Sequence, residues 1–83
     1  MIFESTITQK TIGKRIAFLR GKRGLTPKQL SELSGVAVKT IAAYEKGTTN
    51  MGIQNLSIIA TAFGMSMTEF FRTKPFARTM RFA

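Results

Sequence analysis

The sequence predicts a small all-α domain of five short helices. Three observations predict it: apolar residues recur at three- and four-residue spacing, Ser/Thr-x-x-Glu/Gln cap signatures stand where runs begin, and glycines stand where runs end. A chain of 83 residues is expected to build one core, with no second domain.

Ile12, Ile16 and Leu19 form one stripe on a first helix over about residues 11–23, which puts Lys14, Arg15 and Lys22 largely on its other faces and lets Gly24 end it. Thr26-Pro27-Lys28-Gln29 opens a second helix: Thr caps, Pro fits the first helical position, and Gln completes a capping box. Leu30 and Leu33 are its expected inward residues, and Ser34-Gly35 stops it before Val36 returns to the core. A third helix over residues 38–46 turns Ile41 and Tyr44 inward and stops at Gly47; Ala37, a weak cap, precedes it. After a polar loop over residues 48–52, Ile53, Leu56, Ile59, Ala60 and Phe63 make the stripe of a fourth helix that ends at Gly64. Ser66-Met67-Thr68-Glu69 is a second capping box, leading into a last short helix with Phe70 and Phe71.

The organisation expected is an N-terminal arm or short strand over residues 1–10, the helical domain over 11–71, and a basic aromatic tail over 72–83. The first eight residues are rich in β-branched and aromatic types, and Phe76, Arg78, Met80 and Phe82 share one side of an extended chain. Each end reads equally as a short strand or as a frayed terminus, since a lone pair of strands is marginal.

Composition excludes much chemistry. The chain has no Cys, His, Asp or Trp, so the usual ligands of transition metals and the groups for nucleophilic triads are missing, and four glutamates make a poor cage for hard cations. We therefore expect no enzyme, no metal, no cofactor and no small-molecule substrate. Absent cysteine fits a reducing compartment, and the N-terminus lacks the pattern of a signal peptide, which together suggest a cytoplasmic protein. The stretch 51–67 is broken by Gly52, Gln54, Asn55 and Gly64 and is no membrane span.

Thirteen Lys and Arg against four Glu give a formal net charge of +9. Seven basic residues and no acid lie between Lys10 and Lys28, and four more without an acid between Arg72 and the end, around a nearly neutral middle. Two basic blocks suit a polyanionic partner; a merely solvated cationic face and a basic helix lying on a membrane are the alternatives. Gly21 and Gly24, and the need for this helix's apolar face in the core, count against the membrane.

Two short helices joined by Ser34-Gly35-Val36 have the spacing of a helix-turn-helix. The run from Leu25 to Gly47, continued through Asn50, Ile53, Leu56, Ile59-Ala60, Phe63-Gly64, Met65-Ser66 and Glu69-Phe70-Phe71, resembles the XRE family, the phage-lambda repressor and Cro type, over residues 11–71. The resemblance implies a five-helix lambda-repressor-like fold and a sequence-specific regulator of transcription, most often a repressor, that binds double-stranded DNA as a homodimer on a palindromic operator. It implies base reading by Val38, Lys39, Ala42 and Ala43, and phosphate binding by Thr40, Lys46, Thr48, Thr49 and Asn50; Lys28 and Gln29, at the start of the second helix, are further expected phosphate contacts. Arg20 and Glu45 match an internal ion pair of similar proteins. Only Lys39 among the base-facing residues is strongly polar; Val and Ala can meet a thymine methyl but give no bidentate bonds. Pro27 departs from the family pattern, which commonly places there a Gln that bridges phosphate and recognition helix.

Phe70, Phe71, Phe76, Met80 and Phe82 are the expected dimer interface, a surface that the exposed aromatics would otherwise leave in water. The same residues carry the competing reading, a protein-interaction module without DNA binding. A protein partner such as a toxin or an antirepressor is compatible with the family.

Overall fold

The computed structural model describes residues 8–72. Five helices follow in order: α1 (Gln9–Lys22), α2 (Pro27–Ser34), α3 (Val38–Lys46), α4 (Ile53–Ala62) and α5 (Met67–Arg72). Among the described residues none of them is long and apolar enough to cross a membrane. The strand readings of the two ends, and Phe76, Met80 and Phe82, lie outside the described residues.

α1 begins at Gln9 rather than near residue 11, because Thr8 and Thr11 cap each other. The Thr11 amide donates to the Thr8 hydroxyl at 3.2 Å and the Thr8 amide to the Thr11 hydroxyl at 2.8 Å. Residues 8–10, expected in the arm, are thus the cap and first turn of the helix. α2 starts as its sequence requires: the Gln29 amide donates to the Thr26 hydroxyl at 3.1 Å, and the Gln29 side-chain oxygen accepts the Thr26 amide at 2.8 Å. Between α2 and α3 Gly35 takes φ +81°, a left-handed turn that a side chain would strain. Ser34 binds across that turn, donating to the Leu30 carbonyl at 2.8 Å and accepting the Val36 amide at 3.1 Å. α5 opens with the expected box between Ser66 and Glu69.

Ile16, Leu30, Ile41, Ile59 and Phe70 are fully buried at the centre of the core, with Leu19, Val36, Tyr44, Leu56, Ala60 and Phe63 around them. α1 packs on α3, α2 packs on α3 and α4, and α4 on α5. The α1–α3 contact is backbone to backbone. A Cβ at Gly13 would lie 2.1 Å from the Tyr44 carbonyl oxygen and 2.9 Å from that of Glu45. At the same crossing the Cα of Gly47 lies against the backbone and side-chain stem of Lys10.

Three residues sit differently from their expected places. Leu33 is 60% exposed: α2 docks through Leu30, and the residue four positions on, Ser34, lies closer to the inward edge than the residue three on. Leu33 instead lines a shallow groove with Leu25, Gln29 and Glu32. Ile53 is 75% exposed at the start of α4, whereas Met51, two positions before it, packs half-buried against the core. Arg15, expected on an outer face, is only 2% exposed.

α5 supplies the reason for the buried Arg15. The last carbonyls of a helix have no intrahelical donor, and Arg15 Nε donates to the Phe70 carbonyl at 3.2 Å while its guanidinium lies 5.8 Å from the centre of the Phe70 ring. Burial, and secondarily the charge of Arg23, lowers the Arg15 pKa from its usual value.

The two glycines of α1 make a matched test. Gly13→Ala drives a methyl into backbone oxygens and is expected to destabilise by about 3 kcal/mol, at the severe end of overpacking. Nothing lies within 4 Å of a Cβ at Gly21, so Gly21→Ala is expected to stabilise by about 0.5–1 kcal/mol through helix propensity alone. Urea unfolding checks both; equal effects would contradict the close crossing.

Candidate nucleic-acid interface

α3 has one face in the core and one in solvent. Ile41 and Tyr44 are buried, whereas Val38, Lys39, Ala42 and Lys46 are exposed, Val38 at 41%. At 3.6 residues per turn these four span an arc of about 100°. Ala43 is half-buried at the margin of that arc, and Thr40, about 100° beyond it on the side of Tyr44, is half-buried too. No side chain caps α3 at Ala37, so its first-turn amides are available to an outside acceptor. Tyr44, turned inward, accepts a hydrogen bond from Asn55 Nδ2 at 2.9 Å and ties α3 to α4.

Lys28 and Gln29 are exposed in the first turn of α2. The Gln29 oxygen is engaged in the cap, so only its amide nitrogen is left to reach outward. In the loop after α3 the Thr48 amide and hydroxyl both donate to the Ala43 carbonyl, at 3.2 and 3.4 Å. Thr49 is half-buried and Asn50 exposed. Gln9 donates its side-chain amide to Asn50 Oδ1, which attaches the start of α1 to this loop. The sequence reading did not include Gln9, since a contact across 41 positions has no local signature.

Arg20 and Glu45 form the expected ion pair. Arg20 Nε donates to Glu45 Oε2 at 2.7 Å and Nη2 to Oε1 at 3.0 Å, a bidentate fork, and Nη1 donates to the Leu25 carbonyl at 2.9 Å. One guanidinium thus joins α1, the α1–α2 loop and the end of α3. The hydrogen bond to Glu45 raises the Arg20 pKa; burial opposes that rise and the carboxylate's charge adds to it.

Phe70, expected at a dimer interface, is 0% exposed within a single chain, where it fills the core beneath Arg15. Phe71 is half-buried and meets the Phe70 ring edge-on at 5.0 Å.

Two short helices at a glycine turn, the second with its outer face bare, define a helix-turn-helix domain. The helix-turn-helix family model matches residues 16–70, and the chain belongs to that family, in agreement with its XRE-type sequence. The HTH-type transcriptional regulator PuuR of Escherichia coli is 32% identical over 59 residues, which cover 71% of this chain and 32% of PuuR. The chain thus matches about a third of that relative's length. An uncharacterized HTH-type transcriptional regulator of Rickettsia conorii is 35% identical over 60 residues, 72% of this chain and 48% of that protein. Among solved structures, the restriction-modification controller protein C.AhdI from Aeromonas hydrophila superposes with a TM-score of 0.72 at 30% identity, covering 76% of this chain and 96% of C.AhdI. An HTH_3 family transcriptional regulator from Vibrio cholerae gives a TM-score of 0.74 at 28% identity, over 81% of this chain and 38% of that one.

Because the Arg20 fork binds three segments at once, Arg20→Ala is expected to destabilise by about 2–3 kcal/mol. Arg20→Lys, which keeps the charge but not the fork, should cost about 1–2 kcal/mol. A double-mutant cycle with Glu45→Ala should return a coupling of about 1–3 kcal/mol in urea unfolding; a coupling near zero would make the pair incidental.

Proposed function

We propose that this chain is the DNA-binding domain of a transcriptional regulator, which inserts α3 into the major groove of double-stranded DNA. The observation that carries this reading is the outer face of α3: Val38, Lys39, Ala42 and Lys46 are exposed together on a helix that three neighbouring elements hold in place. A helix whose exposed arc is small, uncapped at its start and cationic fits a groove between two rows of phosphates.

On this reading Lys39 donates to a guanine edge, and Val38, Ala42 and Ala43 meet thymine methyls. Lys28, Gln29, Thr40, Lys46, Thr49 and Asn50 hold the flanking phosphates, whereas Thr48, whose amide and hydroxyl both donate to the Ala43 carbonyl, shapes the loop. Pro27 gives no side-chain bridge and the capping box engages the Thr26 and Gln29 amides, so Lys28, through its side chain and its own amide, takes that contact. We further propose a homodimer on a roughly palindromic operator, with half-sites about 34 Å apart to match one turn of DNA. Repression by covering promoter DNA is the action that such a dimer performs with no further parts. PuuR and the Vibrio cholerae protein carry regulator names and C.AhdI is a restriction-modification controller, which supports regulation as the role.

Two variants and a salt series test this. Lys39→Ala is expected to lose about 1–3 kcal/mol of discrimination at one base pair per half-site, whereas Lys28→Ala weakens all sequences about equally. If a dimer neutralises about 6–10 phosphates, raising salt from about 50 to 200 mM should weaken binding by about 10³–10⁵. Fluorescence anisotropy against operator variants measures both, and a dissociation constant indifferent to salt would overturn the reading.

A further inference from the structure

The first turn of α1 is fastened at two points to the loop that follows α3. Lys10 lies so close to Gly47 that a Cβ on the glycine would stand 2.9 Å from the lysine Cα and 3.0 Å from its Cγ. The Gln9 and Asn50 side chains, hydrogen-bonded to each other, join the same turn to the far end of the loop. The bare backbone at Gly47 thus gives the lysine stem a place to rest. Lys46 precedes that glycine directly, and Lys10 and Lys46 are both exposed.

No acid relieves this pair of cations. Among the described residues neither lysine is in an ion pair, while Glu45 is held by Arg20 and Glu69 closes its capping box. Like charges gathered at one place are unfavourable by themselves and favourable beside an anion. Because the Lys10 stem is packed as far as Cγ, only the outer part of the side chain has to be ordered when an anion binds.

We propose that Lys10 is a phosphate contact of the DNA interface: its ammonium holds the same stretch of DNA backbone that Lys46 and the loop through Asn50 hold. The inference rests on the DNA-binding reading of that loop and adds to it a residue of α1. Such a contact ties the helix behind α3 directly to DNA, so that the packed pair of helices, and not α3 alone, sets the angle at which α3 enters the groove.

The test is fluorescence anisotropy of a duplex that the wild type binds, measured over a salt series. Lys10→Gln keeps the Cγ that rests on Gly47 and removes the charge. It is expected to weaken binding about 3–10-fold per protomer near about 0.1 M salt, and to lower the slope of log affinity against log salt by about 0.9 per protomer, the signature of one phosphate contact. Discrimination among operator variants should not change, in contrast to Lys39→Ala. Lys10→Arg, which keeps the charge, should keep the slope. Lys14→Gln removes an equal charge from an exposed residue one turn further along α1 that is not among the atoms nearest Gly47, and should change the slope far less. An equal fall for Lys14→Gln would mean that only the overall field of the chain is felt, and would overturn the inference. So would an unchanged slope in Lys10→Gln, including a loss of affinity without a change of slope, which is what a purely structural role beside the negative end of α3 would give. If the slope falls for Lys28→Ala and not for Lys10→Gln, DNA binding stands and only the role of Lys10 fails; a wild type that binds no duplex overturns both.

Discussion

At Gly13 the backbones of α1 and α3 approach so closely that a Cβ there would meet the Tyr44 and Glu45 carbonyl oxygens. No side chain separates the helices there, so their relative position is set by main-chain contact and not by rotamers. Two further contacts between α1 and the end of α3 lie along the same seam. Gly47 rests on Lys10 on one side of it, and the Arg20–Glu45 fork closes the other. α3 has only nine residues and no side-chain cap, so by itself it would be marginal. Its order comes from α1, and through Tyr44 and Asn55 from α4.

The second constraint is electrostatic. A chain with a net charge of +9 repels itself when compact, and among the described residues its cations stand in contrasting settings. Arg20 is neutralised within the fold, Arg15 is buried against the Phe70 carbonyl and ring, and Lys28, Lys39 and Lys46 stand exposed. Arg suits the first two roles because its planar fork makes several directed bonds, whereas Lys is a flexible point charge suited to phosphate. On the proposed function, affinity then comes chiefly from the backbone of DNA, and the small residues of α3 choose sequence by close fit around one lysine.

The helices were legible in the sequence because their signals are local. The Thr26–Gln29 and Ser66–Glu69 boxes, the glycine stops and the spacing of Ile16, Leu19, Ile41 and Tyr44 all sit where the structure uses them. The α1 start was read late because Thr11 replaces the usual Glu or Gln of a capping box. Leu33 and Ile53 look inward by periodicity alone; whether the core reaches that far along a short helix depends on neighbours remote in sequence. Arg15 is the clearest case. Its burial follows from a carbonyl 55 positions away that needs a donor, and nothing within its own helix signals that. The ion pair was readable only through family resemblance, and the Gln9–Asn50 bond not at all.

The central claim is that α1 holds α3 as one rigid unit whose outer face meets DNA. Amide NMR of the labelled chain, titrated with a bound duplex, tests it most directly. The account predicts shifts concentrated at Val38, Lys39, Ala42, Lys46 and the loop through Asn50, with the buried α1–α3 seam around Gly13 unmoved. Shifts centred on the exposed Phe18 and Ile58 instead, with the α3 face silent, would contradict it.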